Sequence, residues 1–384
     1  MTMSWRTALG ALSVSAATVF SLGAANPAVA VPASSAPVHE LSLPKPTGPF
    51  PVGRNTLHLT DPARTDPWSP QSGPRQLMTD VYYPAVSGTG TPASYMNIAE
   101  ATALLTYADL PKTLTSSAFA GTRTWTHANA LPLPGRYPLV VLSPGFTVPR
   151  YTLTGLAEEL SSRGFVVATV DHAYESVATQ FPGGVLPCVA CDELTAGTIS
   201  HAQVATGRAQ DVSFLLTELT GPRPAWPYAG LIDRARIGMA GHSIGGDATL
   251  ATMAADRRVL AGANLDSPIT PPVPATGLGH RPVLLVAAAD PSTPELVPSW
   301  IANWPNLDGW KRWLTVTGAD HYSFTDVDYL VDQSGALSIP DAPRSIPITT
   351  AYVGAFFQRH LNGVPQPLLD EPSPAFPEVA FTRR

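Results

Sequence analysis

From residue 137 onward the chain alternates short, wholly apolar runs with segments of helical period, and this alternation restricts the fold more than any other feature of the sequence. "YPLVVLSPG" (137–145) and "FVVATVDH" (165–172) begin as continuous apolar runs, the pattern of strands covered on both sides. Between them "TLTGLAEELSSRG" (152–164) has helical spacing and closes on a glycine. The amphipathic stretch "SHAQVATGRAQDVSFLLTEL" (200–219) predicts a second helix. Strand "RIGMAG", helix "IGGDATLATMAAD", and strands "LAGANLD", "RPVLLVAAAD" and "WLTVTGADH" follow, and "TTAYVGAFFQRHLNG" (349–363) closes the series as a helix. Upstream, "LMTDVYYPA" (77–85) alternates like a half-exposed strand and stops at Pro84. Together these predict an α/β fold, a mostly parallel central sheet with helices on both faces. No repeat and no Gly/Ser-rich linker interrupts the chain after residue 50, so residues 51–384 are expected to form one domain.

Composition supports a large core and narrows the partners. Of the 384 residues 44% are hydrophobic and 14% charged, which excludes a chain disordered throughout. A net charge of −6, with only Lys45, Lys112 and Lys311 as lysines, leaves no basic footprint for nucleic acid and no cationic run for an anionic membrane. The first thirty residues carry one charge, Arg6, then the small-residue apolar stretch "ALGALSVSAATVFSLGAA" and "NPAVA". Charged start, apolar middle and A-x-A end predict a secretory signal peptide over residues 1–30, cleaved after Ala30, rather than a stable membrane insertion. The Pro/Ser/Ala-rich residues 31–50 are expected to be a flexible lead-in. Export bears on the two cysteines: Cys188 and Cys191, in "LPCVACDEL", lack the further ligands a zinc site needs and are expected to form a disulfide pinning a loop.

The chemistry is expected where strand "RIGMAG" meets helix "IGGDATLATMAAD". There G-x-S-x-G sets Ser243 between Gly241 and Gly245, the pattern of a nucleophile elbow, in which glycines permit a strained strand-to-helix turn. A serine nucleophile needs a base and an acid after it in the chain. Three histidines follow. His280 precedes a strand and so lies at the wrong sheet edge, and His360 sits at a helix tail, where a cation favours the helix end. His321 directly follows the last strand and is the base. Two carboxylates stand at strand ends on the correct edge, Asp266 and Asp290, and strand order does not choose between them. Two backbone donors are needed for an oxyanion: the N–H of Ile244, and that of Phe146 in the "SPGF" turn after the "YPLVVL" strand. His242 is expected to pack or to support the site residues from behind, and His172 to be a structural histidine or a pocket wall. Trp125, Trp300, Trp304, Trp310 and Trp313 are expected in the core or at the rim, with one or two lining an acyl pocket.

"YPLVVLSPGF", "LSSRGFVVATVDHAYES", "DRARIGMAGHSIGG", "GANLDSPI" and "HYSFTD" together resemble the platelet-activating factor acetylhydrolase type of α/β-hydrolase, including its secreted bacterial relatives. The resemblance runs from about residue 75 to 361 with the elements in the family's order. It implies a serine esterase or lipase acting on lipid-like carboxylic esters, with Asp266 as the acid and with His321, Phe324 and Asp326 matching the family's H-x-x-F-x-D pattern. Asp290 would instead fit secreted lipases and cutinase-like polyesterases. Pro144 departs from the histidine usual before the oxyanion glycine in mammalian members, which leaves main-chain donors intact. The chemistry requires no metal and no organic cofactor, and the partner is a small-molecule or lipid ester, with a monomer expected. A polyesterase or peptidase using the same triad is the alternative, and a non-catalytic hydrolase-like binding protein a more distant one. The residues between Asp266 and Arg281 are too few for a helical cap, so loops 86–130 and 173–199 are expected to shape the cleft.

Overall fold

The computed structural model describes residues 40–289 and 294–383. In chain order the strands begin with β1 (Val52–Thr65), β2 (Pro74–Pro84), β3 (Thr91–Pro92), β4 (Thr126–Ala128), β5 (Tyr137–Ser143) and β6 (Val166–His172). A small hairpin, β7 (Thr179–Phe181) and β8 (Gly184–Leu186), follows. Then come β9 (Ile232–His242), β10 (Val259–Leu265), β11 (Val283–Ala288), β12 (Lys311–Val316) and β13 (Val379–Arg383). The helices are α1 (Ile98–Tyr107), α2 (Ser116–Ala120), α3 (Thr154–Ser162), α4 (Val189–Thr195), α5 (His201–Thr220), α6 (Ile244–Ala255), α7 (Leu296–Asn303), α8 (Val327–Gln333) and α9 (Ala342–Asn362).

All strands but the hairpin join one sheet in the order β13-β12-β11-β10-β9-β5-β6-β2-β1-β4-β3. From β12 to β6 every neighbouring pair is parallel, while β2, β1 and β13 add antiparallel margins. Successive residues of a strand point to opposite faces. In β5, Leu139 and Val141 therefore join one core with Val212, Leu215 and Leu216 of α5 and Met253 of α6. Val140 and Leu142 join the other, with Leu156 and Leu160 of α3 and Phe356 and Phe357 of α9. The unbroken apolar runs are strands sandwiched between two helical layers, and the mostly parallel doubly covered sheet is the fold expected.

Three local readings change. Residues 41–50, expected within a flexible lead-in, are packed: Leu41 and Leu43 are buried, Leu43 N–H donates to Arg123 O (3.0 Å) and Phe50 N–H to Ser162 O (3.0 Å). Burial of the two leucines and the backbone bonds together offset the cost of ordering the segment, which its Pro/Ser/Ala-rich composition does not reveal. Residues 1–30, the cleavage site at Ala30 and residues 31–39 lie outside the described residues. Helix α9 starts at Ala342, ahead of the sequence reading, although Pro347 lies inside it. That proline forfeits one bond, to the carbonyl of Pro343 in the first turn, and burial of Ala342, Ile346 and Ile348 offsets the loss. Strand β1 was hidden in polar sequence because half of it faces solvent at the sheet margin.

Residues 267–282 contain no helix, so no cap domain rises there. Loop 86–130 instead carries β3, α1, α2 and β4, and loop 173–199 carries the hairpin and α4. Cys188 and Cys191 are disulfide-bonded at the start of α4. No helix among the described residues is long and apolar enough to cross a membrane.

Candidate active site

Ser243 occupies the corner between β9 and α6 with φ +53° and ψ −134°. A non-glycine residue in that region costs roughly 1–3 kcal/mol, comparable to the burial of a single leucine, and persists only where surrounding structure enforces it. Here the enforcement is visible. Ser243 N–H donates to Leu265 O at the end of β10 (2.9 Å), and Gly246 N–H closes the first turn on Ser243 O (2.6 Å). A Cβ on Gly241 would overlap the Gly245 carbonyl, and one on Gly245 would overlap the Ser143 carbonyl across the sheet. The two glycines of the motif are there because backbones meet where side chains would stand. Ser243 itself is partly exposed.

Asp266 leaves β10 at φ +57°, a conformation aspartate tolerates better than most residues. Its turn is closed by buried Asn264, whose side chain accepts from Ser267 N–H (3.0 Å) and donates to Ser267 O (3.1 Å); Trp300 Nε1–H donates to the same carbonyl (2.7 Å). The Asp266 carboxylate is fully buried, taking Ala288 N–H on Oδ1 (2.9 Å) and His321 Nδ1–H on Oδ2 (2.7 Å). A carboxylate only accepts, so Nδ1 carries the ring proton and Nε2 is the basic nitrogen. His321 sits on a short turn (His321–Phe324) after β12, capped by Asp320, which accepts from Tyr322 N–H (2.8 Å) and Ser323 N–H (3.2 Å). The structure thus brings His321 and Asp266 together across 55 residues of sequence. Asp290 lies outside the described residues.

His242, beside the serine, takes the supporting position expected of it. Its Nε2–H donates to the His321 carbonyl (2.7 Å), and its ring lies 4.6 Å from the His321 ring. Burial, reinforced by His321, pushes its pKa well below the usual imidazole range, so it is neutral. Its other face abuts the loop after β5, where a Cβ on Gly145 would come within 2.9 Å of Nδ1. That loop carries Phe146. Ile244 N–H is the first amide of α6, without an intrahelical acceptor. Neither it nor Phe146 N–H donates to another backbone group among the described residues. Their side chains share a small apolar cluster with Trp68, Val189 and Ala190. On the other side, Tyr322 packs against a cluster built by α1, α2 and α8. Apolar clusters thus pack beside Ile244 and beside Tyr322, and the two long loops contribute to them through α4 in the one and through α1 and α2 in the other.

Other candidates take structural positions. His172 is buried, bonded through Nδ1 to Asp211 (2.8 Å) and through Nε2 to Ser143 Oγ (3.2 Å). His280 is an exposed residue near Asp308. His360, expected as a helix-end cation, packs against Trp310 (4.6 Å) and Phe356 (4.9 Å). Burial, with Arg359 and Arg312 nearby, brings its pKa down to about 4. It is a neutral aromatic, because burial outweighs the weak helix-end field. Asp326 accepts from Gly155 N–H (3.1 Å) and Tyr95 OH (3.2 Å), bracing α3 rather than His321. Trp300 and Trp313 pack on each other (5.1 Å), and Trp125 donates to Leu43 O (2.9 Å). Among the described residues no ring contact or hydrogen bond joins any of the five tryptophans to Ser243 or His321.

The sequence reading missed a buried ionic network below the Phe146 loop. His172, Glu175 and Asp211 bring ligand-type atoms within 4.8 Å of one another, a grouping suited to a metal ion. Two guanidiniums already satisfy the carboxylates: Arg75 pairs with Asp66 (3.0 Å), Glu175 (2.7 Å) and Asp211 (2.8 Å), and Arg208 with Glu175 (2.7 Å). The available signal was on α5, where Arg208 and Asp211 interrupt the apolar stripe of Val204, Val212 and Leu215.

Comparison with known proteins agrees with this architecture. Residues 36–182 match the family model described as platelet-activating factor acetylhydrolase, isoform II, a match that ends before Ser243. The chain is 29% identical over 401 residues to a probable 1-alkyl-2-acetylglycerophosphocholine esterase of Arthroderma benhamiae, covering 91% of this chain and 95% of the relative. It is 24% identical over 256 residues to the platelet-activating factor acetylhydrolase of Cavia porcellus, covering 59% and 55%. Among solved structures, the ferulic acid esterase from Streptomyces cinnamoneus matches with a TM-score of 0.79 and 41% identity, over 90% of this chain and all of that one.

Proposed function

The chain belongs to the platelet-activating factor acetylhydrolase-like α/β-hydrolases and is a carboxylic ester hydrolase, and from that premise we propose that Ser243, His321 and Asp266 form its catalytic triad. The observation that carries the assignment is the 2.7 Å bond from His321 Nδ1 to buried Asp266, made beside the strained corner that presents Ser243. Ser243 Oγ attacks the ester carbonyl while His321 Nε2 takes its proton. The developing oxyanion is held by Ile244 and Phe146 N–H, and Asp266 stabilises the imidazolium. The tetrahedral intermediate collapses, the alcohol leaves with the proton from His321, and water, activated by the same nitrogen, releases the acid and restores Ser243.

Lipid-like esters with short acyl groups are the substrate class we infer, since apolar clusters pack beside Ile244 and Tyr322 and the relative of Arthroderma benhamiae, matched over 95% of its length, is named for an acetylglycerophospholipid. A second reading, aromatic esters of the ferulate type, is favoured by the 41% identity to the ferulic acid esterase. We further propose export with cleavage after Ala30, to be checked by N-terminal sequencing of the protein from culture medium. The deciding experiment pairs active-site labelling with a substrate panel. A serine-directed phosphonate should modify Ser243 alone, and Ser243→Ala should lose turnover by orders of magnitude without loss of fold. Labelling elsewhere, or an active Ser243→Ala protein, defeats the triad. Methyl ferulate, p-nitrophenyl esters of increasing acyl length, an acetylated ether phospholipid and a polyester film, compared by kcat/KM, separate the substrate readings.

A further inference from the structure

We propose that the buried ion pair between Arg208 and Glu175 is a positioning device for the oxyanion loop, residues 144–147, clamping it at both ends so that Phe146 N–H is preset for the transition state. This rests on the reading of Phe146 as an oxyanion donor. Arg208, on α5, donates from Nη1 to Pro144 O (2.5 Å) and to Ser143 Oγ (3.2 Å), which fixes the loop where it leaves β5. At the other end Thr147 N–H donates to the backbone carbonyl of Glu175 (3.0 Å), and Val177 N–H donates back to Thr147 O (3.0 Å). The two anchors are locked to each other, since Arg208 Nε meets Glu175 Oε2 at 2.7 Å. Gly145 and Phe146 are the only residues between the clamped positions.

Three features show that this pair does more than hold α5 to the sheet. First, both side chains are 1% exposed, so neither is screened by water and each keeps one geometry. Second, the Glu175 carboxylate is immobilised on its far oxygen as well, by Arg75 Nη2 (2.7 Å) and Trp68 Nε1 (2.8 Å). Third, the segments it joins are strained: Thr147 has φ +72° and Tyr174 φ +62°, values that non-glycine residues hold only when the surroundings impose them. An arginine suits the task because its planar fork reaches Pro144, Ser143 and Glu175 at once, and an ammonium is a single point.

The test uses the full-length enzyme with Arg208→Lys and Glu175→Gln. The latter keeps the backbone carbonyl that holds Thr147 but removes the charge that holds Arg208. For each variant, folding is checked by circular dichroism and thermal midpoint. Then kcat, KM and the affinity for a trifluoromethyl ketone are measured; its tetrahedral adduct on Ser243 puts a negative oxygen in the hole. Removing one oxyanion donor outright costs about 10²–10³ in kcat, so a displaced donor should cost roughly 10- to 100-fold. KM should stay within about twofold, ketone affinity should fall in step with kcat/KM, and Glu175→Gln should move the same way. A structural role alone would lower the thermal midpoint and leave kcat and ketone affinity of the folded protein unchanged; that result, in either variant that folds, overturns the clamp. A wild-type enzyme that binds no ketone would defeat the triad itself, and the clamp with it.

Discussion

At the scale of single residues, the site depends on proton placement. Asp266 receives Nδ1–H of His321 and leaves Nε2 free to accept. In Asp266→Asn the amide NH₂ can donate to Nδ1 and so favours the opposite tautomer; by the precedent of serine proteases this costs on the order of 10⁴ in kcat. Asp290→Asn, whose carboxylate the sequence places one strand later, should leave kcat near wild type, and measuring the two side by side checks the assignment. His242 donates from Nε2 to the His321 carbonyl (2.7 Å) and so ties the turn that carries the base to the residue beside the serine. His242→Phe keeps the ring and loses that donor, worth about 0.5–1.5 kcal/mol for a neutral hydrogen bond, so kcat should fall roughly 2- to 10-fold. His242→Gln, with an amide able to reach the same carbonyl, should recover most of it, and equal activity in all three proteins would show that His242 only packs.

At the scale of elements, a strand–turn–helix corner and a disulfide-tethered helix meet in one apolar cluster beside Ser243. The corner has no slack, because Gly241 and Gly245 stand where any Cβ would meet backbone. Gly245→Ala should yield misfolded or inactive protein, whereas Gly354→Ala, where no atom lies within 4 Å of the added carbon, should be silent. Helix α4 is tethered by the Cys188–Cys191 disulfide and lays Val189 and Ala190 against Phe146 and Ile244. Closing so short a loop is worth about 2 kcal/mol by chain entropy, roughly 3 °C for a domain of this size. Reduction should therefore lower the thermal midpoint only modestly, and its larger signature should be a raised KM with kcat retained, because α4 contributes apolar side chains beside the proposed site and none of its three proposed catalytic residues. Thermal melts and kinetics with and without dithiothreitol give the answer.

At the scale of the whole molecule, the two cores on either side of the sheet bury carboxyls whose protonation is linked to folding. Burial raises Asp247, on α6, to about 7, and raises Glu158, on α3, to about 7. A carboxyl whose pKa is higher in the folded than in the unfolded protein binds more protons when folded. Its contribution is complete below the unfolded value near 4 and is lost as pH rises toward 7. Glu175 works in the opposite sense: although burial opposes it, Arg208 and Arg75 hold its carboxylate below the usual range, and its contribution is lost only at lower pH. Stability should therefore peak on the acidic side of neutrality and decline between about pH 4 and 7, levelling above that. Asp247→Asn, which can keep both contacts to Thr270 without a charge, should flatten that decline in a series of thermal melts. A wild-type midpoint that rises from pH 5 to 7 would contradict the assignment.

What the sequence determined by itself was whatever is encoded locally. Apolar runs of strand length, helical stripes and their order yield a doubly covered parallel sheet, because each element's period says which face must be buried. G-x-S-x-G between such a run and a helix marks Ser243, since the motif and the corner it builds are five residues long. The expected export, with no further ligands for a metal, likewise pointed to the bond between Cys188 and Cys191, which the structure contains. Tertiary structure alone decided what each face meets. It set His321 on Asp266, drew Leu41 and Leu43 onto the domain, and carried α9 back through Pro347. It also turned Arg208 and Glu175, 33 residues apart, into one buried pair beneath the loop that follows β5. No local pattern carries those pairings: a buried charge breaks its own element's apolar stripe without naming its partner, and the partner is fixed only when the sheet brings distant strand ends together.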